Sequence, residues 1–162
     1  MLKDLLISKK SSIINSWIQL IVETYPSKTS SFLKSQKDRF SNPVGFTISN
    51  SAEKIFEEII NQNEIEKVKI SLVDLIKIRA VQNFSPSEAT GFIFLLKKVI
   101  RTELEREVIE GKILSELIEI ESFIDTVALT AFDLYMDAKE KLYKIRINEI
   151  KSQLAYNKGI IE

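Results

Sequence analysis

The residues most capable of chemistry in this sequence are clustered carboxylates. They form three groups: Glu57 and Glu58, Glu64 and Glu66, and Glu103, Glu105 and Glu107. Paired carboxylates can transfer protons or bind a hard cation. Here they alternate with lysines on the polar sides of predicted helices, and no calcium-binding loop spacing is present. We therefore interpret all three groups as solvated helix faces and predict neither a catalytic site nor a metal site.

Two missing residue types narrow the chemistry further. The 162 residues include no cysteine and no histidine. Without them there can be no disulfide, thiolate zinc site, Ser-His-Asp triad, HExxH site or usual proximal haem ligand. Neither a GxGxxG nor a Walker sequence is present to hold phosphates. We therefore expect a protein that is not an enzyme and has no cofactor, haem included.

The charge balance bears on partners and location. Lys plus Arg is 23 and Asp plus Glu is 23, so no net field attracts nucleic acid or an anionic membrane. No segment has 18 uninterrupted apolar residues, and Lys9 and Lys10 interrupt the apolar N-terminal segment that might suggest a signal peptide. We expect a cytoplasmic protein that binds neither nucleic acid nor membrane.

Helical spacing dominates the chain. Glycine (4) and proline (3) are scarce, which suits long helices. Asn42 before Pro43, and Ser85 before Pro86 with Glu88 following, are typical helix starts. Apolar residues then recur three or four positions apart, as in Ile48, Ala52, Ile55, Phe56, Ile59 and Ile60. The fold class we predict is an all-α bundle.

The segment "VQNFSPSEATGFIFLLKKVIR" places Gly91 inside an apolar helix that we expect to end at Gly111. A glycine inside a helix lowers the stability of the helix by about 1 kcal/mol relative to alanine. We predict that a neighbouring helix backbone crosses close to Gly91. The alternative is that Gly91 opens space for a ligand.

A final helix is predicted from Leu114 to about Tyr156. Its apolar seam is Leu117, Ile120, Ile124, Val127, Ala131, Leu134, Ala138, Leu142 and Ile145. The segment after Tyr135 is charge-rich, yet it still carries apolar residues that would face water in a monomer. We therefore predict a homodimer through this helix, with an interface at Ala131, Tyr135, Ala138, Leu142 and Ile145. Whether the preceding helix also takes part is left open.

Arg79 and Gln82 are polar residues in an apolar neighbourhood just before Phe84. One interpretation is that they bind backbone carbonyls at a helix end. The other is a small ligand pocket, with these two as its polar contacts and Trp17, Phe84 and Phe92 as its walls.

Three blocks carry a family resemblance: "NPVGFTI", "IRAVQNFSPSEATGFIFLLKKVIR" and "AFDLYMDAKEKLYKIRINEIK". Together they resemble the N-terminal domain of RsbR/RsbRD-type co-antagonists of RsbT, components of the bacterial stressosome. The resemblance implies a dimeric, globin-like helical fold without haem that acts as a sensory input module. In that family the last helix leads into a STAS domain with phosphorylatable threonines. Because this sequence ends at Glu162, we expect a stand-alone version.

These observations lead to two functional hypotheses. The first is a cytoplasmic, non-enzymatic regulatory domain, 1–162, that senses a small ligand. It would form a homodimer and signal through its last helix, of which residues 136–162 protrude from the bundle. The signal would pass to an unidentified regulatory protein. The alternative is a purely structural protein–protein interaction module without ligand sensing.

Overall fold

The computed structural model describes residues 1–35, 38–62 and 64–161 and is helical almost throughout. These ranges contain no β-strand and nine helices: α1 (Leu2–Ser8), α2 (Lys10–Glu23), α3 (Ser27–Ser35), α4 (Pro43–Ile60), α5 (Ile65–Val81), α6 (Pro86–Thr90), α7 (Phe92–Glu103), α8 (Glu105–Ile109) and α9 (Leu114–Ile161). The predicted all-α bundle with a long C-terminal helix is confirmed.

Two helix starts follow directly from local sequence. The Asn42 side chain accepts a hydrogen bond of 2.9 Å from the backbone N–H of Gly45, and Pro43 opens α4. Ser85 and Glu88 form the predicted capping box before α6, each side chain accepting from the other residue's backbone N–H. The bond from the Ser85 N–H, at 2.9 Å, keeps the pKa of Glu88 below its ordinary value.

The helix predicted to start at Pro86 and end at Gly111 is broken into α6, α7 and α8, and one break lies at Gly91. A Cβ atom on Gly91 would lie 2.7 Å from the carbonyl oxygen of Ser87. Apart from its chain neighbours, the described residues bring nothing but the Ser87 backbone within 4 Å of that position. The predicted helix crossing is therefore wrong. The close approach is local, within the tight turn that joins α6 to α7.

In the core, α9 packs chiefly on α5, α7 and α6, and α2 packs on the far side against α7 and α4. The predicted apolar face of α4 is buried, and so are five members of the seam on α9, from Leu117 to Ala131. Gly111, with φ of +69°, follows α8 in the left-handed conformation predicted for a helix end.

The last helix leaves the bundle. α9 has 48 residues, and at about 1.5 Å per residue it is roughly 70 Å long. Tyr135 is its last buried residue, and every residue from 143 to 160 is exposed. Among the described helices, none is both long and apolar enough to span a bilayer. The second half of α9 is therefore an exposed rod attached to a packed bundle.

Candidate functional site

The predicted pocket residues meet around the guanidinium group of Arg79, on the last turn of α5. The side chain is fully buried. Its Cζ atom lies 4.2 Å from the ring centre of Phe84 and 5.3 Å from those of Tyr25 and Phe92. Trp17 stacks on Phe92 with ring centres 6.1 Å apart, and its Nε1–H donates to the Phe92 carbonyl at 2.8 Å. We call these five residues the arginine cage.

Arg79 binds the ends of two helices. Its Nε donates to the carbonyl of Ala89 at 3.2 Å, and Nη2 donates to the carbonyl of Glu88 at 2.9 Å, both near the end of α6. Nη2 also donates to Oγ1 of Thr24, which follows α2, at 3.1 Å. Helix C-termini carry partial negative charge and favour a cation. For Arg79, the predicted bonding to backbone carbonyls at a helix end is confirmed.

The charge of Arg79 has no carboxylate partner among the described residues. Burial lowers the pKa of the guanidinium, an effect that Tyr25 and Glu88 partly oppose. The group nevertheless stays protonated at neutral pH. Its Nη1 atom is buried without a hydrogen-bond partner in the part of the chain that the structure describes.

Gln82 contacts the cage from outside. Its Oε1 accepts a hydrogen bond of 2.8 Å from the Tyr25 hydroxyl. One interpretation expected the Gln82 side chain to donate to a backbone carbonyl, and among the described residues no such bond is present. The Tyr25 ring meets Phe84 edge-on with ring centres 5.1 Å apart. Burial raises the pKa of the Tyr25 hydroxyl, which therefore remains protonated at neutral pH.

A tyrosine connects the cage to α9. The hydroxyl of Tyr135 donates to the carbonyl of Phe84 at 2.6 Å, and burial raises its pKa. Tyr135 is the last buried residue of α9, so this hydrogen bond joins the cage to the part of α9 that precedes the exposed rod. Sequence reasoning missed the cage roles of Thr24 and Tyr25 and this bond of Tyr135. Nothing in the local sequence marks these contacts, which join residues more than 50 positions apart.

The predicted dimer residues are not all accessible. Ala131 and Tyr135 lie in the core, at 0% and 2% exposure. Ala138 and Leu142 are half-buried in a cleft of about 290 Å³ between α9 and α5, and Ile145 is 56% exposed. Ala131 and Tyr135 are therefore unavailable to a partner in this fold, whereas Ile145 is accessible.

A second line of apolar residues on α9 is exposed, and we call it the outer stripe. Its members lie three, four or seven positions apart and are between 40% and 68% exposed: Leu129, Phe132, Met136, Tyr143, Ile147, Ile150 and Leu154. At about 100° per residue, it lies roughly a third of a turn from the buried seam. The sequence predicted that the apolar residues after Tyr135 need a partner, but the predicted interface was assigned to the seam and this second line was not separated from it.

Several members of the charged clusters have structural partners. Lys97 binds Asp125 at 2.7 Å and Arg101 binds Glu121 at 2.5 Å, which ties α7 to α9. Glu57, from one of the carboxylate groups, pairs with Lys10. In the described ranges, no cluster of three or more carboxylates is arranged to hold a metal ion. The predicted pocket residues and α9 therefore remain the candidate functional features.

These features define a helical module with a line of exposed apolar residues along one long helix. Residues 11–150 match the family of the RsbT co-antagonist protein rsbRD N-terminal domain, and the chain belongs to that family. This membership confirms the resemblance and places the chain among stressosome-type regulatory domains.

A relative supports the extent of the similarity. An uncharacterized protein from Archaeoglobus fulgidus is 21% identical over 159 residues, which cover 94% of this chain and 92% of the relative. The likeness therefore includes both the bundle and the rod. No solved structure matches the chain.

Proposed function

We propose that this chain is a cytoplasmic, non-enzymatic regulatory domain that forms a homodimer and transmits its signal through α9. The outer stripe is the observation that carries the proposal. It combines seven large apolar side chains on one line of a helix, all exposed in the single chain. Contiguous apolar surface of this kind marks an interaction site in soluble proteins. A two-fold homodimer is the commonest arrangement that would cover it.

The end of α9 offers a separate surface to a regulatory protein partner. Ile145, Tyr156 and Ile160 continue the direction of the buried seam beyond the bundle and are 56% to 70% exposed. They lie on a different side of the helix from the outer stripe. A homodimer on the outer stripe would therefore leave these three residues free for a second protein.

The arginine cage is the proposed site of signal input. A small ligand with an acceptor group would bind Nη1 of Arg79, and displacement of Phe84 would reach α9 through Tyr135. One observation favours the alternative of a structural module without sensing. In the described chain the guanidinium itself lies among the rings of the cage. Native mass spectrometry of gently purified protein separates the two, because only the sensing module would carry a bound small molecule.

Paired glutamates test the dimer. Ile147→Glu with Ile150→Glu places two charges on the outer stripe. The matched control, Asn148→Glu with Ser152→Glu, places two on another side of the same rod segment, where all four residues are exposed. We expect light scattering to report a monomer for the first variant and a dimer for the control, with helical circular dichroism unchanged in both. A dimer in both variants would remove the outer stripe from the interface.

A further inference from the structure

Charges on one flank of the outer stripe are ordered along α9. Asp133 and Glu140 come first, followed by Lys144 and Lys151. At 100° per residue, the four lie within about 40° of one another on the same side of the stripe. All four are exposed, and none forms an ion pair within 4 Å with another described residue, although Asp133 acts electrostatically on Lys69 of α5. The flank is therefore acidic near the bundle and basic toward the end of the rod.

We propose that two copies of α9 pair in antiparallel orientation along the outer stripe, with the two-fold axis crossing near residues 141–142. The inference rests on the proposed homodimer and adds its direction and register. In an antiparallel pair, residues at equal distances on either side of the axis face each other.

The apolar residues have this symmetry. Leu129 and Leu154 are equally distant from a point between residues 141 and 142, and so are Met136 and Ile147. The midpoint of Phe132 and Ile150 is residue 141. Six of the seven members of the outer stripe would therefore meet another member across the axis, while the seventh, Tyr143, would lie opposite Glu140 of the partner subunit.

The four charged residues on the flank are arranged about nearly the same point as the apolar pairs. Residue 142 is the midpoint of Asp133 and Lys151 and also of Glu140 and Lys144. Asp133 would therefore face Lys151 of the partner subunit, and Glu140 would face Lys144 of the partner subunit. Glu140 and Lys144 can also pair within one helix. Asp133 and Lys151 are separated by roughly 27 Å along one helix, so only a second copy can bring them together.

A parallel pair would be electrostatically unfavourable. In parallel coiled coils, flanking residues five positions apart in sequence face each other across the interface. Lys139 would then face Lys144 of the partner subunit, and Arg146 would face Lys151 of the partner subunit. The antiparallel pair has one like-charged contact on its other flank, between Lys139 and the partner's Arg146. The parallel pair would have two such contacts, between Lys139 and the partner's Lys144 and between Arg146 and the partner's Lys151.

Cysteine cross-linking tests the direction, and the absence of native cysteine makes each introduced thiol unique. In the antiparallel pair, Phe132 is close to the partner's Ile150 and roughly 27 Å from the partner's Phe132. A disulfide requires Cα atoms within about 7 Å. The double variant Phe132→Cys/Ile150→Cys should therefore form a covalent dimer on mild oxidation, and neither single variant should.

Each outcome has one meaning. Covalent dimers from either single variant would show a parallel pair and overturn the inference while leaving the homodimer. A dimer in light scattering with no cross-link in any variant would place the interface elsewhere and also overturn it. A monomeric wild type would contradict the proposed function itself.

Charge exchange provides a second test that keeps every apolar residue. Asp133→Lys would place two lysines in contact across the antiparallel interface and should raise the dimer dissociation constant by about tenfold. Adding Lys151→Asp restores opposite charges and should return the constant to near the wild-type value. Failure of the second substitution to restore dimerisation would contradict the proposed register.

Discussion

Replacing Arg79 by methionine tests whether the arginine cage is a structural tie. Methionine retains an unbranched apolar side chain within the rings but removes the charge and every donor. Arg79→Met therefore deletes three hydrogen bonds, to Thr24, Glu88 and Ala89, and the cation beside three aromatic rings. The ends of α2 and α6 would lose the side chain that joins them.

The expected change in the free energy of unfolding of Arg79→Met is the balance of opposing contributions. Two carbonyls deprived of a buried donor cost about 1–3 kcal/mol each, and the lost cation–π contacts cost about 1–2 kcal/mol. Removing an unpaired buried charge offsets part of this lost stability, because desolvating the charge in the folded protein costs several kcal/mol. Carbonyls, a hydroxyl and ring faces already replace much of that hydration, so we expect the losses to dominate. The net change should be a destabilisation of about 2–4 kcal/mol, which lowers Tm by roughly 5–15 °C.

Urea unfolding followed by circular dichroism measures this change. The control is Arg106→Met, because Arg106 has an 85% exposed side chain paired with Glu110 and should change stability by less than about 1 kcal/mol. If Arg79→Met is as stable as the wild type or more stable, desolvation outweighs the contacts. The cage would then be a strained site retained for another purpose, and its role as a tie would be refuted.

Four further predictions concern the Tyr135 hydrogen bond, the turn at Gly91, the cap at Glu88 and the absence of haem. Tyr135→Phe should destabilise by about 1 kcal/mol because the Phe84 carbonyl loses its donor, and thermal melts would show no change if that bond were irrelevant. Gly91→Ala should destabilise by about 1–3 kcal/mol because its Cβ would lie 2.7 Å from the Ser87 oxygen, and an unchanged urea midpoint would show that the turn relaxes freely. Because the folded-state pKa of Glu88 is lowered, its stabilising effect is present above the unfolded pKa of about 4.3 and is lost as pH falls through the folded value. Glu88→Gln should therefore lose less stability than the wild type between pH ~5 and pH ~3, and parallel pH profiles would contradict this. Protein purified from haem-supplemented cells should be colourless because the chain has no histidine, whereas a stoichiometric Soret band would contradict it.

Features set by neighbouring residues could be predicted from the sequence. The caps at Asn42 and Ser85 use hydrogen bonds that span three positions, so residue type and spacing determine them. The buried face of α4 follows from its helical period. The candidate cage was found because Arg79 is a charged residue at an apolar position, and such a residue must find partners when buried.

Features that depend on distant packing could not be predicted in the same way. Thr24 contacts Arg79 across 55 positions, and no local signal connects them. The break at Gly91 depends on the geometry of one backbone turn, so the sequence indicated a tight approach but assigned it to the wrong partner. The outer stripe was overlooked because α9 has two apolar lines. The buried seam alone accounts for the packing of α9 in the core. The outer stripe adds apolar residues to another side, so the helix no longer shows the single polar face by which an exposed surface is recognised.

The central claim is that α9 makes this chain a homodimer, and the molar mass of the wild type in solution tests it most directly. One chain has a mass of 18.6 kDa. Sedimentation equilibrium at tens of micromolar should report twice that mass, with a shift toward the single-chain mass on dilution. A mass of 18.6 kDa at every concentration would contradict the account, because the outer stripe would then remain exposed to water in the working protein.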